Sequence, residues 1–357
     1  MVECMKLRSF GVLACIIVAI SSIRLSEYFG KELLGFDKSP ISPIMIAIII
    51  GIIIANLNLK TIEKLKPGLD FCIKILLKVG IILLGIRLSL IDLISYGFKG
   101  LLVVIPCIVI TIILVQFLRK KLNISEKLSL LIAVGTSICG ATAIVALAPS
   151  IKAKKSEITY AIANITVFGL FAMFLYPLLA HFLFSPDIIS AGLFLGSSIH
   201  ETAQVAGSAM IFSDQFEKPD IIAIATVTKL IRNTLMVIVI PYLAHKSMSK
   251  QGKSYKISEI FPYFVIGFIF FGFIRSLGDL YFLDNNIYME TWNKLIAIIK
   301  QIAEFLLIIA MAAVGFNTSF ESFKELGIRP FYIGLIAATT VGISSIGIIL
   351  ITNNISF

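Results

Sequence analysis

The chain has 357 residues, of which 58% are hydrophobic and only 15% are charged. A soluble domain carries about 25% charged residues, so this composition excludes a soluble globular protein. The formal net charge of +10 does not indicate a nucleic-acid partner, because the basic residues lie in short loops between apolar runs, as the positive-inside rule describes.

Nine continuous apolar segments have about the length needed to cross a bilayer as helices. In chain order they are 9–23, 41–57, 74–94, 99–118, 157–183, 220–245, 259–278, 292–316 and 330–352. Two more apolar segments, 127–151 and 188–213, are interrupted by small and polar residues. These observations predict an all-α polytopic membrane protein with about 9–11 transmembrane segments, two of them interrupted or re-entrant.

Loop charge favours a re-entrant course for 127–151. With the N-terminus inside, the basic residues Lys152, Lys154 and Lys155 stay inside only if this segment turns back. The alternative, which remains open for both interrupted segments, is a full helix that is unwound in its middle.

The two interruptions match each other in sequence. Gly135–Ile144 aligns without a gap on Gly196–Val205. Irregular backbone at membrane depth is tolerated only where it lines a protein-enclosed, hydrated cavity. A matched pair of such interruptions indicates the substrate site of a secondary transporter, so we expect the two clusters to converge.

The duplication extends beyond the clusters, because Tyr176–His181 is similar to Ile240–His245. A weaker echo pairs Gly85–Leu90 with Gly315–Phe320. We therefore expect one integral membrane domain, 1–357, built from inverted repeats. Its halves would be 41–183 and 188–352, with permuted boundaries as an alternative.

The first cluster offers a flexible backbone, hydroxyl groups and exposed N–H groups, which together suit an anion. Its candidate substrate-binding residues are Thr136, Ser137, Cys139, Gly140 and Thr142. The second cluster adds the candidates Gly196, Ser197, Ser198 and Gln204. Ordinary close packing of helices by small residues is the alternative explanation.

His200 and Glu201 are adjacent ionisable residues at apparent membrane depth, where such residues are costly and mark function. Histidine titrates near neutral pH, so the pair is a candidate for proton coupling. His200-Glu201-Thr202-Ala203-Gln204 approaches the zinc motif His-Glu-x-x-His but lacks the second histidine. An intramembrane hydrolase is therefore disfavoured, and we expect no enzyme activity, metal or cofactor.

Lys229 and Arg232 lie one turn apart in an apolar segment and suit an anionic substrate. Snorkelling of their long side chains to the interface is the alternative. Three further polar residues, Asn164, Arg87 and Asn317, are accessory candidates.

These motifs resemble the YeiH-type family of bacterial membrane proteins. The resemblance rests on Gly135–Ala141, Gly196–Val205, Lys229–Arg232 and Leu83–Ser89, and it covers almost the whole chain. Family members are grouped as proposed sulfate exporters, near transporters with inverted five-helix repeats. At Thr202 and Asn233 the chain departs from the family pattern by carrying polar residues.

The resemblance implies a multi-pass secondary transporter in the bacterial cytoplasmic membrane. Together with the residues, it favours proton-coupled export of a small anion, sulfate or sulfonate-like. Its partners would be the solute, protons and lipid but no nucleic acid, with a homodimer as one possible assembly. The alternative is a cation/proton antiporter with Glu201 as the ion ligand.

Overall fold

The computed structural model describes residues 2–33, 42–57, 59–247, 262–282, 286–318 and 328–354. Regular structure within these ranges is entirely helical, which confirms the prediction of an all-α polytopic membrane protein. The first eight helices are α1 (Val2–Glu27), α2 (Pro43–Leu57), α3 (Leu59–Phe71), α4 (Leu77–Leu84), α5 (Leu90–Lys121), α6 (Glu126–Val134), α7 (Ala141–Leu147) and α8 (Lys155–Phe184). They are followed by α9 (Ile188–Ser198), α10 (Thr202–Phe216), α11 (Ile221–Thr234), α12 (Met236–Ser247), α13 (Phe264–Tyr281), α14 (Asn286–Phe316) and α15 (Ile328–Asn354).

Seven helical spans in the described ranges are long and apolar enough to cross a bilayer. They are Arg8–Glu27, Leu90–Lys121, Ser156–Phe184, Ile221–His245, Phe264–Tyr281, Tyr288–Phe316 and Pro330–Asn353. Each coincides with one of the nine continuous spans predicted from the sequence. The fourth consists of α11 and α12, which only Leu235 separates.

The other two predicted spans differ from the prediction. Within segment 41–57 the apolar helix α2 covers Pro43–Leu57, and its 15 residues are fewer than the roughly 20 that a full crossing needs. Segment 74–94 is not one helix, because α4 ends at Leu84 and α5 begins at Leu90. Ser89 and Asp92 explain the break: each side chain accepts the backbone N–H of the other, which is a capping box at the start of α5. The predicted starts at 41 and 259 lie outside the described residues.

The chain forms two compact units. The first comprises Met1–Ile94, Ala209–Ala223 and Tyr263–Phe320. The second comprises Ser95–Ser208, Ile224–Pro262 and Glu321–Phe357. Both units are assembled from separate stretches of chain, and the predicted repeat halves 41–183 and 188–352 stay a prediction.

Small residues bring helices together in the first unit. A Cβ added at Gly51 of α2 would lie 2.7 Å from the carbonyl oxygen of Ala312 in α14. A Cβ at Gly11 of α1 would lie 2.8 Å from the Cα of Gly68 in α3. Such close approach is how helices gain packing contacts in lipid, where apolar burial alone gives little driving force.

In the second unit, α6 and α7 form a hairpin. The ammonium of Lys127 donates to the carbonyl oxygen of Lys152 at 2.8 Å. The hydroxyl of Ser125 donates to the carboxylate of Glu157 at 2.6 Å. A straight helix over 127–151 would separate its ends by about 36 Å at 1.5 Å per residue. The chain therefore reverses its direction, in agreement with the re-entrant course that loop charge favours.

Candidate functional site

The first interruption is a real break in the backbone. Gly135–Cys139 forms a wide π-helical turn after α6, closed by a 2.9 Å hydrogen bond from the N–H of Gly140 to the carbonyl of Gly135. Gly140 then adopts φ +71° and ψ −134°, a conformation that side chains strongly disfavour. We call Gly135–Gly140 the first break; α7 begins directly after it.

The second interruption separates α9 from α10. The chain leaves the helix at Ile199, which is extended with φ −82° and ψ 142°, and α10 begins at Thr202. We call Ile199–Glu201 the second break. Both interruptions therefore lie where the matched sequence clusters predicted them.

Lys229 of α11 is fully buried and touches both breaks. Its ammonium group donates to the carbonyl oxygen of Ile138, in the first break, at 3.0 Å. It also donates to the carbonyl oxygens of Ile199, at 2.9 Å, and His200, in the second break. An ammonium group has three N–H donors, so all of them are used.

Arg232, one turn further along α11, is 1% exposed and makes the same kind of contact. In the first break its guanidinium donates to the carbonyls of Ser137, at 2.5 Å, and Thr136. At the second break it donates to those of Ser197 and Ile199, both at 2.8 Å. A guanidinium has five N–H donors, so one is left over.

An interrupted helix ends in several carbonyl groups that have no partner within the helix. The two cations therefore bind these carbonyls at both breaks. Carbonyls at a helix C-terminus lack intrahelical partners and carry the negative end of the helix dipole. Lys229 and Arg232 compensate both effects and tie the two breaks to one turn of α11. This excludes snorkelling for these side chains, since both are buried among protein carbonyls.

Glu201 brings the two breaks into direct contact. Its carboxylate oxygen Oε1 accepts the N–H of Ala141, the first residue of α7, at 3.5 Å. A Cβ added at Gly140 would overlap Cγ of Glu201 and lie 3.0 Å from Oε1. Glu201 is partly exposed and Thr142 is exposed, so the contact between the breaks lies close to the surface of the unit.

His200 is 1% exposed, and neither ring nitrogen has a hydrogen-bond partner within the described residues. An unsatisfied buried polar group costs about 1–3 kcal/mol, so the His200 ring is a costly group to keep at the second break.

Gln204 organises the start of α10. Its side-chain oxygen accepts the N–H of Glu201 at 3.2 Å, and its amide nitrogen donates to the carbonyl of Thr166 in α8 at 3.4 Å. Gly169 of α8 leaves the space for this amide, because a Cβ there would overlap it. Gln204, the third residue of α10, thus satisfies the N–H of the capping residue Glu201 and holds it in place.

The remaining predicted residues of the second cluster make contacts within the unit. The hydroxyls of Ser197 and Ser198 donate to the carbonyls of Leu193 and Phe194 in their own helix. Gly196 allows α9 to approach α11, since a Cβ there would lie 2.5 Å from the carbonyl oxygen of Ala225.

In the first cluster, Thr136, Ser137 and Cys139 are buried, and the Cys139 thiol lies 3.4 Å from the sulfur of Met236. The hydroxyl of Ser137 has no partner within the described residues. It is therefore a second buried polar group at the breaks without a partner among these residues.

The accessory candidates make other contacts within their own units. Asn164 is buried in the second unit and donates to the carbonyl of Pro330 at 3.3 Å, which attaches α8 to α15. Arg87 belongs to the first unit, where it pairs with Glu304. Asn317 also belongs to the first unit and is exposed at the end of α14.

One polar pair at the junction was not among the predicted site residues. The side-chain amide of Asn233, beside Arg232, donates to the hydroxyl of Thr202 at 3.0 Å. In the sequence both residues are polar and have apolar neighbours. Because they are 31 positions apart, the sequence does not predict that they are in contact.

Comparison with known proteins identifies similar sequences. Residues 10–334 match the family described as conserved hypothetical protein 698. A UPF0324 membrane protein of Fusobacterium nucleatum is 31% identical over 96% of this chain and 98% of its own length. One from Bacteroides thetaiotaomicron is 31% identical over 90% of this chain and 93% of its own length. One from Bacillus cereus is 33% identical over 96% and 94%, respectively. No solved structure matches the chain.

Proposed function

The chain belongs to the conserved hypothetical protein 698 family of multi-pass membrane proteins, and from this premise we propose that it is a secondary active transporter of a small anion, sulfate or sulfonate-like. Its place would be the bacterial cytoplasmic membrane, since the relatives are bacterial. It would act as a carrier and not as an enzyme, with the two breaks as the matched parts of an inverted repeat.

The observation that carries this proposal is the convergence of both breaks on Lys229 and Arg232. Interrupted helices are costly in hydrocarbon and recur where transporters hold their substrates. Because one turn of α11 holds both interruptions, each copy of the proposed repeat would contribute to the same site.

The charge of the junction favours an anion. Lys229 and Arg232 together carry two positive charges. Among the described residues at the breaks, Glu201 carries one negative charge, so the positive charge is in excess. The carbonyl acceptors pair with the N–H donors of both cations but do not neutralise their positive charges. Because a buried charge is costly without a counter-charge, an anion would complete the site electrically.

His200 and Glu201 would supply the proton coupling. Neither ring nitrogen of the buried His200 has a hydrogen-bond partner in the part of the chain that the structure describes, and Glu201 lies partly exposed at the contact between the breaks. A proton on Glu201 would remove its repulsion of an incoming anion, so anion and proton would move in a coupled manner.

The test is radiolabelled sulfate flux into proteoliposomes with and without an imposed pH gradient. We expect flux that the gradient drives and that Glu201→Gln uncouples from the gradient. Folded protein that moves no oxyanion under either condition would contradict the proposal.

A cation/proton antiporter is the second candidate, because Glu201 lies next to a break that is rich in carbonyl oxygens. Such oxygens suit a hard cation. Side-by-side binding of Na⁺ and sulfate separates the two: sodium binding that Glu201→Gln removes, without sulfate binding, would favour the antiporter.

A further inference from the structure

Two cysteines of the first unit follow a contact between two glycines. Cys15 lies in α1, one helical turn after Gly11, and Cys72 begins the π-helical turn Cys72–Leu76, one turn after Gly68 of α3. A Cβ added at Gly11 would lie 2.8 Å from the Cα of Gly68, and one added at Gly68 would lie 2.5 Å from the Cα of Gly11. The two backbones are therefore in contact at the glycines, and each cysteine lies on the same helix face as its glycine.

The two helices run parallel at this contact. A Cβ at Gly11 would overlap the carbonyl oxygen of Leu65, and one at Gly68 would overlap that of Arg8. Each glycine thus faces the turn that precedes the other glycine. Since Cβ atoms point towards the N-terminus of a helix, this arrangement requires parallel helices with matched small residues. The turn that follows in both helices then brings Cys15 opposite Cys72.

The two thiols meet at this position. Both residues are 0% exposed, and a hydrogen bond joins one thiol to the other. Both are free thiols in the structure. A disulfide needs Cα atoms about 4.4–6.8 Å apart, and the backbone contact one turn earlier keeps the helices close enough for such a bond.

Charged side chains place this pair near an aqueous boundary. Asp70 and Lys74 flank Cys72 and form a 2.8 Å ion pair with exposed side chains. Arg8 is also exposed and precedes Cys15 by about two turns of α1, or roughly 10 Å at 1.5 Å per residue. Because charged groups are costly in hydrocarbon, the thiols lie within a short distance of water and not at the bilayer centre.

We propose that Cys15 and Cys72 form a modification site, at which a small, uncharged two-electron oxidant, a peroxide or a quinone, converts the two thiols to one disulfide within the chain. Two S–H bonds break and one S–S bond forms. The two protons and two electrons that are released reduce hydrogen peroxide to two molecules of water, or a quinone to its hydroquinone. The bond fixes α1 to the π-helical turn, and the proposal does not depend on the transport function proposed above.

The test counts thiols in the purified full-length protein before and after treatment with hydrogen peroxide. After denaturation, a maleimide that carries polyethylene glycol labels every free thiol, and each label slows migration in a gel. We expect the oxidised protein to lose two of the labels that its five cysteines accept, and to regain both in dithiothreitol. Mass spectrometry should locate the bond between the peptides that contain Cys15 and Cys72.

Variant chains with two cysteines test the assignment. A chain that keeps Cys15 and Cys72 alone should still lose both labels on oxidation, and Cys72→Ser in that chain should leave the Cys15 label in place. A chain that keeps Cys107 and Cys139 alone is the matched control. These two buried thiols contact Ser344 and Met236, respectively, so both labels should remain.

Full labelling of Cys15 and Cys72 after oxidation, in the wild type and in the two-cysteine chain, would overturn the proposal. A loss of label that dithiothreitol does not reverse would also overturn it, because a disulfide is reduced by thiols whereas sulfinic and sulfonic acids are not. So would a disulfide that joins two chains, or an equal loss of label in the control chain.

Discussion

Gly140 and Glu201 are in direct contact, although 61 positions separate them in the sequence: a Cβ on Gly140 would overlap the Glu201 side chain. The first lies in the break between α6 and α7, and the second lies in the break between α9 and α10. Their contact joins the two matched interruptions, so neither residue is interchangeable with a larger or differently charged one.

Gly140→Ala should therefore both strain the backbone and displace Glu201. The conformation at φ +71° costs a non-glycine residue about 1–3 kcal/mol, and the overlap adds to it. We expect a lower temperature of thermal unfolding in detergent and a clear loss of sulfate flux in proteoliposomes.

Gly347→Ala is the control for this substitution. An added Cβ at Gly347 in α15 has nothing within 4 Å, so the change should be neutral or stabilise the helix by up to about 1 kcal/mol. Equal effects of the two substitutions would refute the special role of Gly140.

Lys229→Met should destabilise the second unit severely. It leaves the carbonyls of Ile138, Ile199 and His200 without their donor, each at a penalty of about 1–3 kcal/mol. The expected loss in the free energy of unfolding is at least about 3 kcal/mol, measured by denaturation in detergent micelles.

Lys294→Met provides the comparison for this cation. Its side chain is 72% exposed and pairs with Glu290 at 2.7 Å, and such surface pairs contribute about 0–1 kcal/mol. If Lys229→Met were as mild as Lys294→Met, Lys229 would not be the residue that holds the breaks.

The sequence reveals those features of the site that depend on composition and local pattern. Glycines with hydroxyl residues inside apolar runs predicted both breaks, and apolar surroundings singled out Lys229 and Arg232, which contact them. The partners of these cations could not be predicted, because backbone carbonyls have no sequence signature and come together only through the hairpin and the packing of α9 on α11.

Hydroxyl residues were the least predictable. The sequence predicts Ser197 and Ser198 as ligands, which stays a prediction; in the structure both hydroxyls bond to carbonyls of their own helix, and that of Ser197 also lies 2.6 Å from the hydroxyl of Ser345. The capping box of Ser89 and Asp92 is local in sequence, but the apolar residues on either side conceal it within an apparent span.

Gly169 and Gln204 should be energetically coupled. Gly169→Ala displaces the Gln204 amide, which caps α10 and positions Glu201, so we expect lower stability and weaker transport. In a Gln204→Ala background the same change has no amide to displace and should cost less. A double-mutant cycle on the unfolding free energy should give a coupling of about 0.5–3 kcal/mol. Additive effects would show that Gly169 acts independently of the cap.

The hairpin of α6 and α7 predicts which positions face the same side of the membrane. Lys127 and Lys152 are in contact, so cysteines placed at either position, in a chain without its five native cysteines, should react with a membrane-impermeant maleimide from the same side. A pair flanking α8, at Lys154 and Ser185, serves as control.

Because α8 has 30 residues, it is about 45 Å long and exceeds the roughly 30 Å hydrocarbon core, so the Lys154 and Ser185 positions should react from opposite sides. The readout is labelling of intact cells against inverted vesicles. Labelling of positions 127 and 152 from opposite sides, with the control behaving as expected, would mean that this segment crosses the membrane. The first break would then belong to an unwound spanning helix, and a re-entrant tip would be excluded.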